Sequence, residues 1–594
     1  MKLVLPHVGE LEPADARLSR LAEFLGITCE PLLLEKRNAH HARRMEEVSR
    51  REASCLVVNP RVIGEWTGGS LPPDFASCLT SCFPFVLVHG LTTDSFSQSL
   101  TRALSGDRLQ TVHSLPDSSG AYQIASDIRK ICGPFSGSSF GPVNPVNDHV
   151  LSVTPNKAAL LTPISIDGRP FMVITKQDKA EMLFLASADT LDVNSATAEK
   201  PLSAYFSRFL PHAMALRYVF GEECWHPNGH CASFTIDDPL LRAKYGYLDF
   251  ETLLNLMKYN NFSTTIAFIP HNYRRNSQRT VQQFHQNSDR LSICFHGNDH
   301  TAGEFASTDS ILLNTMVGIA EARMCVHGKS TGLPCDKVMV FPQDNYSVEA
   351  MRVLKSHNFL AATSGASHPV GARAGFSIGE LAQPAILRYE GFPLFLRRYI
   401  GRFKREDIAY DLFFGKPALI YEHHEIFSRV ETLIESVQLI NSIVSDIRWC
   451  NIASAVANSY LRRRASDGAS HVRAYSSAIH ISNDSDTPQQ FVLEWNHPEG
   501  CPPIEHVLEG AVDRAFKISG SLVHLSAELP PRCSQTFSLV FRNDCQSLEG
   551  LGFQWDAKAF VRRRLSEVRD NYISKNHVAM AFAQSLKRRL LPKI

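Results

Sequence analysis

The sequence lacks an excess of either charge. Sixty-one Lys and Arg stand against 60 Asp and Glu, a formal net charge of +1 over 594 residues. Such a balance exerts no long-range pull on a polyanion, so nucleic acid is not expected as a partner. Long hydrophobic runs are also missing: none approaches the roughly 20 apolar residues that a membrane-spanning helix needs. Residues 1–13 carry one Lys and a very short apolar run followed by acids, which does not read as a secretory leader. Cysteine is present but unpatterned, with fourteen scattered along the chain and no spacing that suggests a disulfide framework. A reduced, cytoplasmic protein is the expectation. What is left is an ordinary globular composition, 44% hydrophobic and 20% charged, in a chain too long for one core.

The patterning predicts five segments. Residues 1–133 alternate short apolar runs, at 53–58 and 83–89, with amphipathic stretches at 14–25 and 120–132, the pattern of a small α/β unit. Residues 134–222 read as a linker and a β-containing connecting segment, with Asp167-Gly168 as a hairpin turn. Residues 223–466 repeat strand, loop and helix. Strand-like runs fall at 232–236, 264–269, 291–295, 337–341, 359–363, 394–398, 417–421 and 447–451, with 393–415 the least regular stretch. Seven or eight such units predict an α/β fold, a distorted (β/α)7-8 barrel. Residues 467–546 alternate with period two and carry turn signals, which predicts a small antiparallel β-sandwich. Residues 547–594 read as a basic helical tail; from 557 onward ten Lys and Arg face only Glu567 and Asp570.

Polar groups gather where the barrel strands should stop. Phe234-Thr235-Ile236 runs into Asp237-Asp238, and 291–295 into His296-Gly297-Asn298-Asp299-His300. Further on, 337–341 leads to Pro342-Gln343-Asp344-Asn345, and 417–421 to Glu422-His423-His424. Parallel α/β folds collect their chemistry at the carboxyl ends of their strands. Asp238, His296 and His300 could offer one oxygen and two nitrogens to a divalent metal, zinc foremost, that activates water. His at i and i+4 converge on a helical turn or in a tight loop. Asp237, pointing the other way, could accept the water's proton, and a later His could protonate the leaving group. Tyr273-Arg274-Arg275 follows the run 264–269 and could grip an anionic sugar or a phosphate at the barrel mouth, with a solvated loop as the plainer reading.

Ile236-Asp237-Asp238 followed by His296-x-x-x-His300 resembles the first two motifs of the polysaccharide deacetylases, the NodB-homology carbohydrate esterases. The resemblance covers about 230–460. It implies a distorted (β/α) barrel that uses a divalent metal to remove acetyl groups from N-acetylated sugars, or sometimes from esters. It also implies Asp237 as base and Asp238, His296 and His300 as ligands. Phe341-Pro342-Gln343 is similar to the third motif, which shapes the groove wall and donates a backbone N–H to the oxyanion. Ile420-Tyr421-Glu422-His423 is similar to the last motif, whose His is the acid, with His424 an equally open register. The chain departs from the pattern too. Val340 stands where the family has Arg, Gln343 where it has Tyr, and the Asp-rich fourth motif has no clear counterpart.

An acetylated sugar or polysaccharide intermediate is therefore the expected substrate. The alternatives are a catalytically inactive carbohydrate-binding or scaffold protein that keeps the barrel, and a serine esterase at Ser139 in Gly137-Ser138-Ser139-Phe140-Gly141. The second lacks the strand-to-helix setting a nucleophile elbow needs. Cys224-Trp225-His226 with His230-Cys231 reads as a weaker zinc candidate. The cationic runs Arg562-Arg563-Arg564 and Lys587-Arg588-Arg589 are expected to make weak contact with an anionic surface, either a membrane or a negatively charged glycan carrier, against the plainer reading of a helix packed by Phe560, Leu565, Val568 and Leu586.

Overall fold

The computed structural model describes residues 1–34, 54–118, 120–155, 160–197, 200–301, 303–372, 375–544 and 546–573. At the N-terminus the apolar runs Lys2–His7, Ser54–Val58 and Phe85–Val88 are parallel strands, as β-rich runs buried on both faces require. They form part of a nine-stranded sheet that continues through Ala180–Leu185, Arg169–Gln177 and Leu161–Ile166 to the edge strand Ser139–Phe140. The sheet thus runs across position 133, and the segment read as connecting supplies the antiparallel half. Asp167-Gly168 turns the hairpin between two of these strands, both residues at positive φ. The stretch 120–132, read as helix, is instead the strand Tyr122–Ile124 and the one-turn helix Arg129–Cys132. Tyr122 and Ile124 face the core and Gln123 faces out, a period of two that overrides helical propensity here.

The second sheet is parallel throughout. Its strands are β1 (Cys231–Asp237), β2 (Thr264–Phe268), β3 (Leu291–His296), β4 (Cys335–Val340), β5 (Ala361–Ser364), β6 (Leu394–Leu396), β7 (Arg398–Tyr399) and β8 (Ala418–His423). The order is β6-β5-β4-β3-β2-β1-β8-β7, with Arg448–Trp449 paired beside β1. The two ends of that path, β6 and β7, are separated in the chain by Arg397 alone. One chain segment therefore pairs with β5 through its first half and with β8 through its second, and so nearly closes an α/β barrel. This is the stretch whose sequence is least regular.

Alternation decides what faces the barrel axis. Phe234, Ile236, Ile266, Phe268, Ile293, Phe295, Met339 and Ile420 join the outer core against the helices. Their neighbours Cys231, Ala267, Cys294, Val338, Val340 and Leu419 form a separate inner cluster with Ile452 and Val456 of the helix Ile452–Ala457. Asp237 shares the parity of Cys231, His296 that of Cys294, and His423 that of Leu419. A one-residue slip in any of these strands would turn its functional side chain outward.

Residues beyond 460 form a two-sheet sandwich whose facing sides share one core, including Val472, Phe491 and Leu525 from one sheet and Ile479, Val507 and Phe537 from the other. It is not antiparallel throughout: Ser470–Ala474 pairs in parallel with Gln489–Asn496, because the intervening strand Ala478–Ser482 crosses to the other sheet. Among the described residues no helix is long and apolar enough to cross a membrane.

Trp225 joins the three units. Its backbone N–H donates to Leu25 O, its ring lies so close to Gly26 that a Cβ there would sit 2.5 Å away, and the guanidinium groups of Arg463 and Arg473 stack on it at 4.9 and 4.5 Å. Gly26 also has φ +77, a region L-residues avoid. Truncation of a buried Trp costs about 3–5 kcal/mol. Trp225→Ala is therefore expected to lower the guanidinium midpoint followed by circular dichroism; an unchanged midpoint would mean that this junction carries no stability.

Candidate metal centre and active site

The candidate ligands meet because the backbone leaves its strands abruptly. Asp238 follows β1 at φ +81, so its carboxylate turns away from that of Asp237. Asp238 Oδ1 lies 3.4 Å from His296 Nε2 and 3.2 Å from His300 Nε2. The two histidines converge through a tight loop, not a helix. Gly297 (φ +65) begins it, and the buried Glu304 carboxylate accepts the N–H groups of Asn298, Asp299 and His300 at 3.0–3.2 Å. A Cβ on Gly297 would collide with Glu304 and Pro342, and His300 itself sits at φ +55. Left-handed non-glycine residues cost of order 1–3 kcal/mol each and cluster at functional sites. Gln343 and Asp344, at φ +59 and +55, add two more beside this loop.

The donor set fits a divalent cation. His296 Nδ1 donates to Val340 O at 2.9 Å, which leaves the lone pair of Nε2 facing Asp238. Neither Asp238 Oδ1 nor His296 Nε2 has a hydrogen-bond partner, although both are buried. Two acceptors aimed at each other in a buried site are suited to a positive charge between them. Burial pushes His300 down to about 4, with Arg563 adding to the effect, so it is neutral and able to ligate near pH 7. Burial works against the charge on Asp238 as well, but His300 and His296 hold its carboxyl well below the usual range.

Asp237 is held by a residue that the sequence reading left without a role. Arg397, at the barrel seam, donates from Nη1 to Asp237 Oδ1 at 2.8 Å, and both side chains are buried. Its Nη2 lies 3.4 Å from Asp344 Oδ1, and its guanidinium stacks at 3.8 Å on the Tyr421 ring, whose hydroxyl donates to Asp344 Oδ2 at 3.2 Å. Asp344 also accepts the Gly365 N–H at 2.7 Å. Burial alone would raise the Asp237 carboxyl; Arg397, with His296 and His423, holds it below the usual range. The signal in the sequence was a basic residue directly after an apolar run.

His423 is the register partner of Asp237 on the neighbouring strand. Burial disfavours its proton, but Glu422 at 3.4 Å from Nδ1, together with Asp237 and Asp238, raises it to about 9. Glu422 is buried, and its carboxylate also accepts the His423 backbone N–H at 2.8 Å. His424 is elsewhere: its ring packs on Tyr245 and Tyr247, and its Nε2 lies 3.8 Å from Asp570 Oδ1. His424, Glu425 and Asp570 form a second group with metal-like spacing, but Asp570 already accepts from Tyr245 and Arg569. Pro342 is buried against the loop, Gln343 is exposed, and Asn345 is half-buried with its N–H on Pro342 O.

The C-terminal helix, Phe553–Val568, lies against this mouth. Trp555 Nε1 donates to Asp299 Oδ2 at 2.8 Å, Arg275 forms a two-pronged pair with Glu567, and Asn571 Oδ1 accepts the Gly246 N–H at 2.9 Å. Arg275 is thus committed to the tail, while Arg274 is exposed and stacks on Tyr273. Phe560, Leu565 and Val568, read as packing residues, are exposed; Arg563 and Asp570 are turned inward instead, since the barrel mouth is polar. Residues 587–589 and Leu586 lie outside the described residues. Ser139 is exposed on an edge strand that no helix follows directly. His226 Nδ1 bonds Cys224 O and His230 Nδ1 bonds Asp446, so the two are not brought together as ligands.

A parallel, nearly closed barrel with Asp, His and His at its strand ends is the deacetylase-type fold. No family model matches the sequence, and no curated protein matches it. Among solved structures the chain is similar to Agd3, described as a novel carbohydrate deacetylase, at TM-score 0.50 and 8% identity, over 91% of this chain and 98% of that one. A family 4 carbohydrate esterase from Streptomyces lividans, solved with acetate, shares 12% identity at TM-score 0.23 over 38% of this chain and 94% of its own. A putative polysaccharide deacetylase from Mycobacterium smegmatis shares 15% at TM-score 0.26 over 37% and 87%. At these identities the likeness is one of fold.

Removing one partner of a buried ion pair costs about 3–5 kcal/mol. Arg397→Met should therefore destabilise the protein at pH 7. The depressed Asp237 carboxyl contributes stability above the ordinary carboxylate range and loses it as pH falls. The gap between variant and parent should accordingly narrow toward acid, where Asp237 is protonated in the variant. Urea unfolding at several pH values measures this, and a pH-independent gap would contradict it.

Proposed function

We propose that the chain is a metal-dependent hydrolase that removes an acetyl group from an N-acetylated saccharide or polysaccharide intermediate. The observation that carries this reading is the pairing of Asp237 with Arg397 beside the converging Asp238, His296 and His300, with His423 across the adjacent strand. A divalent metal held by those three side chains, zinc before others, supplies Lewis acidity for the attacking water and for the acetyl carbonyl. Asp237, kept ionised by Arg397, takes the proton of the attacking water. His423, kept protonated by Glu422, hands a proton to the leaving amine. The Gln343 segment, held in its left-handed turn, offers backbone to the oxyanion. That a solved structure matching most of the chain is described as a carbohydrate deacetylase supports the reading.

The helix over the mouth favours a second reading, a barrel that binds sugar without turning it over. Acetate release from a panel of acetylated sugars, with chelator and metal add-back, separates the two. Loss of a general base lowers rate about 10²–10⁴-fold, so Asp237→Asn should keep the metal and lose acetate release to that extent. Parental activity in this variant would place the base elsewhere.

The alkaline limb of the rate profile should follow His423. Its acid form persists up to about pH 9 and is lost as pH rises through that value. Glu422→Gln removes the nearest group that favours the proton, so the limb should move to lower pH; a limb that stays in place would exclude His423 as the acid.

A further inference from the structure

One guanidinium in the candidate site has no counter-ion. Arg563, on the inward face of the C-terminal helix, is 6% exposed. Its Nη2 lies 3.5 Å from His300 Nδ1 and 3.4 Å from Ser566 Oγ, and its Nε has no hydrogen-bond partner. Among the described residues no carboxylate lies within ion-pair distance of it. The nearby acids are committed elsewhere: Glu567 to Arg275 and Arg564, Asp570 to Arg569 and Tyr245, Asp299 to Arg323 and Trp555.

Once His300 ligates a metal through Nε2, its contact with Arg563 becomes a mismatch of donors. His300 presents Nε2 to Asp238, so as a neutral ligand it carries its proton on Nδ1. Arginine has only donors. Two donors converge at 3.5 Å in a buried place, and a third, Nε, is left over. A buried unpaired charge is strongly unfavourable, and an oxygen acceptor bearing negative charge would satisfy all three. Guanidinium is the group best suited to hold a carboxylate or a phosphate through paired hydrogen bonds.

We propose that Arg563 is a specificity residue of this site and holds an anionic group, a carboxylate or a phosphate, carried by the acetylated substrate. The inference rests on the deacetylase reading for the word substrate, but the anion site stands on geometry of its own. The C-terminal helix is then a wall of the active site, docked by Trp555 and Glu567 so as to deliver one cation beside the metal ligands.

Titration calorimetry on the full chain, zinc-loaded and zinc-stripped, tests this with inorganic phosphate, glucuronate and, as the neutral control, glucose. The parent should bind at least one anion and not glucose, and the preferred probe tells phosphate from carboxylate. Arg563→Met should weaken that binding about tenfold or more, as loss of a charged hydrogen bond does, while Arg563→Lys should retain most of it. If Arg563→Met does not fold, judged by its thermal melt, Arg563→Gln takes its place. In acetate release, the KM for an anionic acetylated sugar should rise more in the variant than that for N-acetylglucosamine. No anion binding by the parent overturns the proposal. So does equal binding by parent and variant, which would place the anion on zinc alone. Absence of acetate release from every sugar would refute the deacetylase reading while leaving the anion-binding result to be read by itself.

Discussion

A carboxylate buried on the axis of a barrel cannot stay ionised without a cation at contact distance. Here that cation is Arg397, and its position ties the architecture to the chemistry. It is the single residue between β6 and β7, where the chain leaves the β5 edge and joins the β8 edge. Its backbone N–H still bonds Ser364 O, while its side chain spans Asp237, Asp344 and Tyr421. The barrel closes at the point where the candidate base is neutralised, so a change in the seam is also a change in the site.

The other half of the arrangement comes from backbone the chain would not adopt on propensity alone. Asp238, His300, Gln343 and Asp344 all occupy the left-handed region, and Glu304 gathers the N–H groups that make one of these turns affordable. The strands are rigid and buried on both faces, while the four residues that must point in unusual directions lie just past their ends. Strand parity brings Asp237, His296 and His423 to the inner face; the left-handed turns then separate Asp238 from Asp237 and fold His300 back toward His296.

Much of this could be read from residues alone. Four apolar runs ending in polar groups located β1, β3, β4 and β8 to within a residue or two, since period two and strand-end placement are local properties. The run 394–398 marked a strand at the seam, but not that Arg397 divides it between two edges. Two short strands split by an arginine carry no periodic signal, and the partner of Arg397 lies 160 residues away. The plainer reading of the tail fails for a similar reason: Phe560, Leu565 and Val568 look like a packing stripe, but Arg563 and, just past the helix, Asp570 face the barrel because polar loop backbone and carboxylates wait there. The parallel pair in the sandwich depends on a strand changing sheets, which alternation within either strand cannot reveal.

The distance along the chain between His300 and Arg563, 263 residues, has a meaning in time. Ribosomes add about 5–20 residues per second, so on the order of 10–50 seconds separate synthesis of the ligand loop from that of the helix that comes to lie over it. The barrel strands are complete once β8 has emerged, so for the later part of that interval the mouth has no helix over it. Whatever reaches Asp238, His296 and His300 in the finished molecule passes a helix that the nascent barrel does not yet carry.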